Sequence, residues 1–357
     1  VPKASAPKTR FDFAVQRYAL LALLAAALFG ISTPLAKALI GDSSPWLLAG
    51  LLYLGSGSGL TLVWLVRRAN TTSTSPALAA GDWPALAGAV LAGGIIAPVL
   101  LMTGLAQSTA SSAALLLNLE GVLTTVLAVL LFREAVAARI WWGVALTVLA
   151  GALLSWTDGV LSWQALAVAG ACFFWAIDNN VTRKISANDA VLLALIKGLV
   201  AGVVNVTIAL ALGATMPDLP KVTALLLLGF FCYGLSLVLF VLALRHLGSA
   251  RTAAHFSTAP FLGAAVAIVL LGEPLTLMFV LAFALMLVAT WLVLTEQHSH
   301  EHHHERLVHR HPHCHDDHHQ HGHDGSEGPE PHDHEHVHEP ITHRHSHLPD
   351  IHHRHEH

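Results

Sequence analysis

Charge is scarce in this sequence and unevenly held. Only 12% of the 357 residues are Asp, Glu, Lys or Arg, about half the share found in an ordinary soluble domain. Residues 1–296 hold 15 Lys/Arg and 11 Asp/Glu, whereas residues 297–357 hold 4 Lys/Arg, 12 Asp/Glu and 24 of the 26 His. The first part is too apolar for water, and the second is too polar to build a core. Cysteine is nearly absent. Cys172, Cys232 and Cys314 make no disulfide framework, and the first two lie in apolar runs as small buried hydrophobes. Catalytic motifs are missing from the apolar part: no G-x-S-x-G, no H-E-x-x-H, no phosphate loop, no carboxylates at glycosidase-like spacing. No basic groove interleaved with aromatics offers itself to nucleic acid. An enzyme is a poor fit, and no cofactor is required.

Long apolar runs are what the sequence has instead. A bilayer core about 30 Å thick needs roughly 20 apolar helical residues. Ten segments qualify, at about 18–38, 46–66, 84–104, 109–131, 140–157, 163–182, 190–212, 222–243, 252–271 and 276–295. The first reads as a span and not as a cleavable leader. Polar breaks such as GDSSP, RKISAND and GEPLT are short and demand antiparallel neighbours. High Gly and Ala content suits close helix contact in lipid. With the N-terminus inside, 12 basic residues outside the tail fall on the inner side and only Lys37 and Lys221 on the outer. The positive-inside rule then puts both termini of a multi-pass membrane protein in the cytoplasm. Trp46, Trp83, Trp141, Trp142, Trp156 and Trp163 stand near span ends, as interface anchors do.

The chain repeats itself. GLAQSTASSAALLLNLEGVLTTVLAVLLFREAV, from Gly104, aligns without gaps on ALRHLGSARTAAHFSTAPFLGAAVAIVLLGEPL, from Ala243, at an offset of 139. Glu134 falls on Glu273. The copies occupy spans four and nine, an odd number of crossings apart, so they run in opposite directions. Inverted repeats of this kind give secondary transporters two exchangeable openings around a midplane site. The expected fold is therefore an all-α integral membrane protein: a cytoplasmic segment 1–17, one five-helix repeat over 18–157, a second, inverted, over 163–295, and a disordered cytoplasmic tail over 297–357.

The ten spans, the matched segments, LLGEPLT at 270–276 and the run TAPFLGAAVAIVLLGEPLT ending there resemble the drug/metabolite transporter superfamily, in its two-domain EamA branch. LFREAV at 131–136 is similar to a first copy of the same signature, with Arg133 in place of the more usual Gly. The copies part at Glu120-Gly121, where the second has Ala259-Pro260. The resemblance spans about residues 18–295 and implies a ten-helix permease, usually of the plasma membrane, often exporting small metabolites or foreign compounds. It names no substrate.

Ionisable groups inside hydrocarbon cost several kcal/mol unless shielded, so each needs a reason. Glu120 lies mid-span in LLLNLEGVLTT, with Asn118 two residues before it. It reads as a substrate-cation contact or proton carrier, or else as a paired structural group. Asp178, in FFWAIDNNVTRKI with Asn179 and Asn180, meets a cavity or a helix-end network near Arg183. Lys197 reads as counter-ion to Glu120 or Asp178, or as a site for an anionic solute. His255 stands near the start of span nine, where it either touches solute and titrates or merely packs. Pro260 should break the helix ladder near the cavity, as Pro34 and Pro98 are free to do in spans one and three. Glu134 and Glu273, at membrane boundaries, read as structural caps or ion pairs. Pro274 suits a first helical turn of span ten.

The tail recurs in alternating histidine, as in HRHPHCHDDHHQHGH at 309–323. His309, His311, His313, Cys314, His315, His318, His319, His321, His323, His332, His334, His336 and His338 are candidate ligands. Such a tract suits Zn, Ni, Co or Cu. The leading expectation is a secondary transporter, an exporter of a small organic metabolite or drug-like solute by alternating access, with proton coupling open. The alternative is a Zn/Ni/Co exporter or metal-regulated permease whose tail collects or senses the ion. A third reading is a sensor or storage scaffold that transports nothing. Partners are membrane lipid, a small solute and divalent ions, with monomer or homodimer left open.

Overall fold

The computed structural model describes residues 9–70, 78–132, 138–157, 160–185, 188–247, 252, 255–294 and four strands between 299 and 346. Helices stop at the polar breaks. α1 (Thr9–Ile40) and α2 (Pro45–Asn70) are followed by α3 (Ala80–Gln107), α4 (Ala110–Leu131) and α5 (Ala138–Ser155). A two-residue strand pair, β1 (Trp156–Thr157) with β2 (Val160–Leu161), leads into the second half. That half holds α6 (Trp163–Arg183), α7 (Ala190–Ala211), α8 (Leu219–Ala243), α9 (Ala259–Leu271) and α10 (Leu277–Leu294). Seven of the ten are long and apolar enough to cross a membrane; α9 and α10 are shorter apolar helices. At 21 residues α6 is long enough, but Gln164, Asp178, Asn179 and Asn180 dilute its apolar character. Trp83, Trp141, Trp142, Trp156 and Trp163 are all exposed at helix ends. The chain is a multi-pass, all-α membrane protein.

The repeat runs further than the 33 aligned residues. α10 coincides with α5 at the same offset of 139, since Leu277–Leu294 falls on Ala138–Ser155. Two π-helices also coincide: Val90–Ile96 within α3 and Gly229–Leu235 within α8. The two repeats do not sit apart as separate blocks. α1 packs on α8 and α9, and α6 packs on α3 and α4. α2 packs on α7 and on α8, and α7 on α3. Each principal contact thus has its counterpart under exchange of the repeats. Close crossings need small residues. A Cβ on Gly30 of α1 would run into the backbone of Ala259 in α9.

Span four was expected as a continuous helix over 109–131 and span nine over 252–271 with its ladder broken at Pro260; both are interrupted. In α4 the helix Ala110–Leu116 ends at Leu117 and restarts as Asn118–Phe132. In α9 a turn at Ser257–Thr258 precedes the helix that begins at Ala259. Thr258 Oγ1 donates to the carbonyl of His255 at 2.6 Å, closing that turn. Pro260 lies within the first turn of the restarted helix, where a missing N–H costs nothing. The break therefore comes before Pro260. Pro274 lies in the non-helical link ahead of α10, not in its first turn, and Thr276 Oγ1 accepts from Phe279 N instead.

The α3–α4 corner shows how polar ends are met in lipid. Lys37 Nζ donates to the carbonyls of Leu105 and Ala106 at 2.7 and 3.0 Å, at the C-terminal end of α3. Glu273 accepts from Ala110 N and Ser111 N at 2.6 and 2.8 Å, at the N-terminal end of α4. A cation at a helix C-terminus and an anion at an N-terminus both complement the helix dipole. Glu134 lies outside the described residues.

The tail, residues 297–349, is a separate compact unit. Its described residues form two antiparallel pairs: β3 (Ser299–His304) with β6 (Ile341–Ser346), and β4 (Leu307–His313) with β5 (His332–His338). The sequence reading left this region without regular structure; a two-stranded ladder needs no core of the kind the composition forbids. Cys314, His315, His318, His319, His321 and His323 lie outside the described residues. HEHHH at 300–304 and HEHVH at 334–338 spell H-E-x-x-H. Both lie on strands, where residues four apart are roughly 13 Å apart. The zinc motif instead needs its two histidines one helical turn apart.

Glu273→Ala is expected to lower stability by about 1–3 kcal/mol, the cost of two charge-assisted caps. Thermal unfolding in detergent checks this, with Glu301→Ala as a tail control. An unchanged midpoint for Glu273→Ala would remove the cap from the account of this corner.

Candidate functional site

The polar residues of the spans gather around one element, the π-helix of α3. Pro98 stands two residues past its end, after Ala97. Lacking an N–H, Pro98 gives no hydrogen bond to Gly94 in α register or to Gly93 in π register. Those two carbonyls are the ones that side chains reach. Gly93 O accepts from Tyr53 Oη at 2.7 Å and from Trp175 Nε1 at 3.0 Å. Gly94 O accepts from Asn205 Nδ2 at 3.1 Å. Tyr53, Trp175 and Asn205 come from α2, α6 and α7, so the widened turn is bound by three neighbours.

Asp178 lies against the same turn. A Cβ on Gly93 would overlap its carboxylate, so only glycine lets the two approach. Asp178 Oδ2 pairs with Lys197 Nζ from α7, and Oδ1 accepts from Thr182 Oγ1 at 3.0 Å. The side chain of Asp178 is 5% exposed and that of Lys197 21%. Of the partners weighed from sequence, Lys197 takes Asp178.

Glu120 is one helix away, in the first turn after the interruption of α4. Its Oε1 accepts from Asn179 Nδ2 at 2.9 Å, and the same amide reaches Thr124 Oγ1 at 3.3 Å. Asn180 donates to the carbonyls of Thr124 and Ala176 at 3.1 and 2.8 Å. The paired asparagines therefore join α6 to α4. Asn180 is buried, whereas Asn179 is exposed and Glu120 half-buried. The exposed apolar face of α6 carries Trp163, Leu166 and Phe173. At about 100° per residue, Asn179 lies roughly 150° round from it. Its exposure faces inward, away from the face that meets lipid.

Three other candidates stand apart from this cluster. Asn118 donates to Leu115 O at 2.9 Å and approaches Met286 Sδ of α10 at 3.7 Å, so it mends the interruption of α4. His255 and Pro260 flank the matching interruption in α9. The side chains beside that interruption are aromatic. Phe256 stacks with Phe29 and Phe240 at centroid distances of 5.5 and 4.8 Å. Phe29 meets Tyr233 at 6.1 Å, and Tyr233 meets Tyr53 at 5.9 Å. Tyr53 thus joins the aromatic set to the polar one. Sequence reasoning missed Tyr53, Trp175 and Asn205. Pro98 beside two glycines was the signal that carbonyls there would need outside donors. Among the described residues, no three of His, Cys, Asp or Glu are grouped to hold a metal ion.

Comparison with known proteins agrees with this architecture. Residues 16–156 and again 162–295 match the EamA-like transporter family. An "Uncharacterized transporter" of Methanothermobacter thermautotrophicus (strain Delta H) is 30% identical over 274 residues, 72% of this chain and 80% of that protein. A crystal structure is similar over 78% of this chain and 95% of its own, with a TM-score of 0.59 and 17% identity, a likeness of fold alone.

Lys197→Met leaves the Asp178 carboxylate buried and unpaired. It is expected to cost about 3–5 kcal/mol, and Lys197→Met with Asp178→Asn should recover part of that. A double-mutant cycle on thermal stability measures the coupling. Additive losses would mean that the pair does not act as one unit.

Proposed function

The chain belongs to the EamA-like transporter family, and from that premise we propose that this membrane transporter exports a small organic solute by proton-coupled alternating access. The observation that carries the proposal is the inequality of the two carboxylates within the spans, Asp178 buried and Glu120 half-buried. Asp178 is neutralised by Lys197. Glu120 accepts from the amide of Asn179 and, among the described residues, makes no ion pair of its own. A carboxylate so held in the bilayer needs a proton or a cationic group of the solute to balance it. Binding one at the expense of the other couples two fluxes.

The fold supports a midplane position for the site. Glu120 stands at the interruption of α4, and the matching interruption of α9 is beside Phe256. α4 packs directly on α9. A solute between them meets Glu120, Asn179 and Thr124 on one side and the Phe29–Phe256–Tyr233 aromatics on the other. Because the repeats interleave, the moving bodies mix them: α3, α4 and α6 on one side, α8, α9 and α1 on the other. Exchange of the two conformations opens the site to one compartment and then the other. We place the protein in the plasma membrane with both termini cytoplasmic, on the excess of inward basic residues. Among the described residues no three of His, Cys, Asp or Glu are grouped in support of metal transport, so the metal reading draws on the composition of the tail.

Everted membrane vesicles with an imposed pH gradient, acid inside, test the proposal. A pH-sensitive dye reports proton efflux as amino acids, nucleosides, organic amines or sugars are added. The wild type should release the gradient for at least one class, and Glu120→Gln should abolish the response. A solute response that survives Glu120→Gln sinks Glu120 as the coupling group. Uptake of solute without any proton movement sinks the coupling while leaving transport.

A further inference from the structure

Two charged side chains reach across to the α3–α4 corner. Lys37 Nζ donates to the carbonyls of Leu105 and Ala106, and Glu273 accepts from Ala110 N and Ser111 N. The last two carbonyls of one span and the first two amides of the next are thus held at once. Lys37 belongs to the last turn of α1. Glu273 follows Gly272, which ends α9. In the motion proposed above, α1 and α9 move as one body, and α3 and α4 as part of the other. All four hydrogen bonds therefore cross from one moving body to the other.

Their place suits making and breaking. With both termini cytoplasmic, the corner lies at the outer surface, where a released amide or carbonyl meets water. The carbonyls of Gly93 and Gly94, within α3, have no such recourse. The bodies also meet closely at this end. α1 and α9 both pack on Ala110–Leu116, the first half of α4. Gly263 of α9 lies against Ala114 of α4, where an added Cβ would come within 3.2 Å of the alanine methyl. Residues this small bring backbones together and interlock little. Directional bonds to charged groups are left to hold the two surfaces. Gly272 aims one of those groups. Its φ of 65° is the left-handed cap that ends α9 and turns the chain at Glu273. A Cβ on Gly272 would meet nothing, so a substitution there strains the backbone alone.

We propose that Lys37 and Glu273 form a latch that holds the transport site shut toward the outer side, and that its release opens the site to that side. The latch rests on the alternating-access reading above. Each charge complements the dipole of the helix end it meets, so both ends of the corner are gripped together. Loss of either group should shift the ratio of shut to open chains toward open by about tenfold.

Distances between spin labels on the two bodies test this. The labels go on Gln107→Cys, in the corner, and Leu275→Cys, just past Glu273, both exposed positions. The full chain is used in lipid, with Cys172, Cys232 and Cys314 replaced by alanine. Glu273→Ala and Lys37→Met should each populate a second, longer distance at the expense of the first. Gly272→Ala, which keeps both charged groups, should do so to a smaller extent. Asp42→Asn, an exposed acid outside the corner, should leave the distribution as it is, and an equal shift from it overturns the latch. A cap that serves stability alone would lower the unfolding midpoint and leave one distance, which overturns the latch as well. Glu120→Gln in the same labelled chain separates the latch from the reading beneath it. Distances that answer to Glu120→Gln but to no corner substitution overturn the latch and leave alternating access standing. Distances that answer to neither overturn both.

Discussion

A backbone carbonyl released from its helix inside hydrocarbon finds no water, and so must be met by another part of the protein. Much of this structure is arranged around that requirement. Pro98 withholds its hydrogen bond from the turn before it, and Tyr53, Trp175 and Asn205 converge on Gly93 and Gly94. The interruption of α4 is mended by Asn118 and that of α9 by Thr258. The α3–α4 corner is closed by Lys37 and Glu273, which meet carbonyls and amides respectively. Polar side chains in these spans serve the backbone first. The few that remain, Glu120 foremost, are left for chemistry.

Symmetry of fold is accompanied by asymmetry of chemistry. Both repeats carry a π-helix and an interrupted helix at matching places. Yet Leu237 stands where the second repeat would need a counterpart of Pro98, and Ala259 where it would need one of Glu120. Among the described residues the polar cluster lies beside α3, and aromatic rings stand beside the interruption of α9. In the proposed alternating access, the two-fold scaffold would supply the two conformations and the polar groups would lie on one side of the site between them.

The spans and the inverted repeat were legible because hydrocarbon thickness and the offset of 139 are properties of residue order. The π-helices were not. A shift from i−4 to i−5 bonding leaves little trace in composition, and Pro98 gave only a hint of it. The interleaving of the repeats was equally hidden, since small residues line many faces and do not name their partners. Polar side chains were found but not paired: Lys197 had two acidic partners open to it, and the crowding of Asp178 against Gly93 decided between them. Glu273 was recognised as a cap, but its target, two amides 163 and 162 residues away in sequence, required the fold. Pro260 and Pro274 were each misplaced by part of a turn, because a proline marks where a helix is awkward more clearly than where it starts.

The interleaving has a consequence for how the chain is made. Spans enter the membrane in order from the ribosome, and the first repeat is complete before the second exists. At that stage Tyr53 is the sole one of the three donors present for Gly93, Gly94 lacks Asn205, and Glu120 lacks Asn179. The newborn half therefore waits in lipid with its awkward carbonyls and its acid unmet, until α6 and α7 thread in against α3 and α4. Biogenesis of this protein is the completion of a lattice begun by its first half, and α6 and α7 supply the partners that the earlier spans lack.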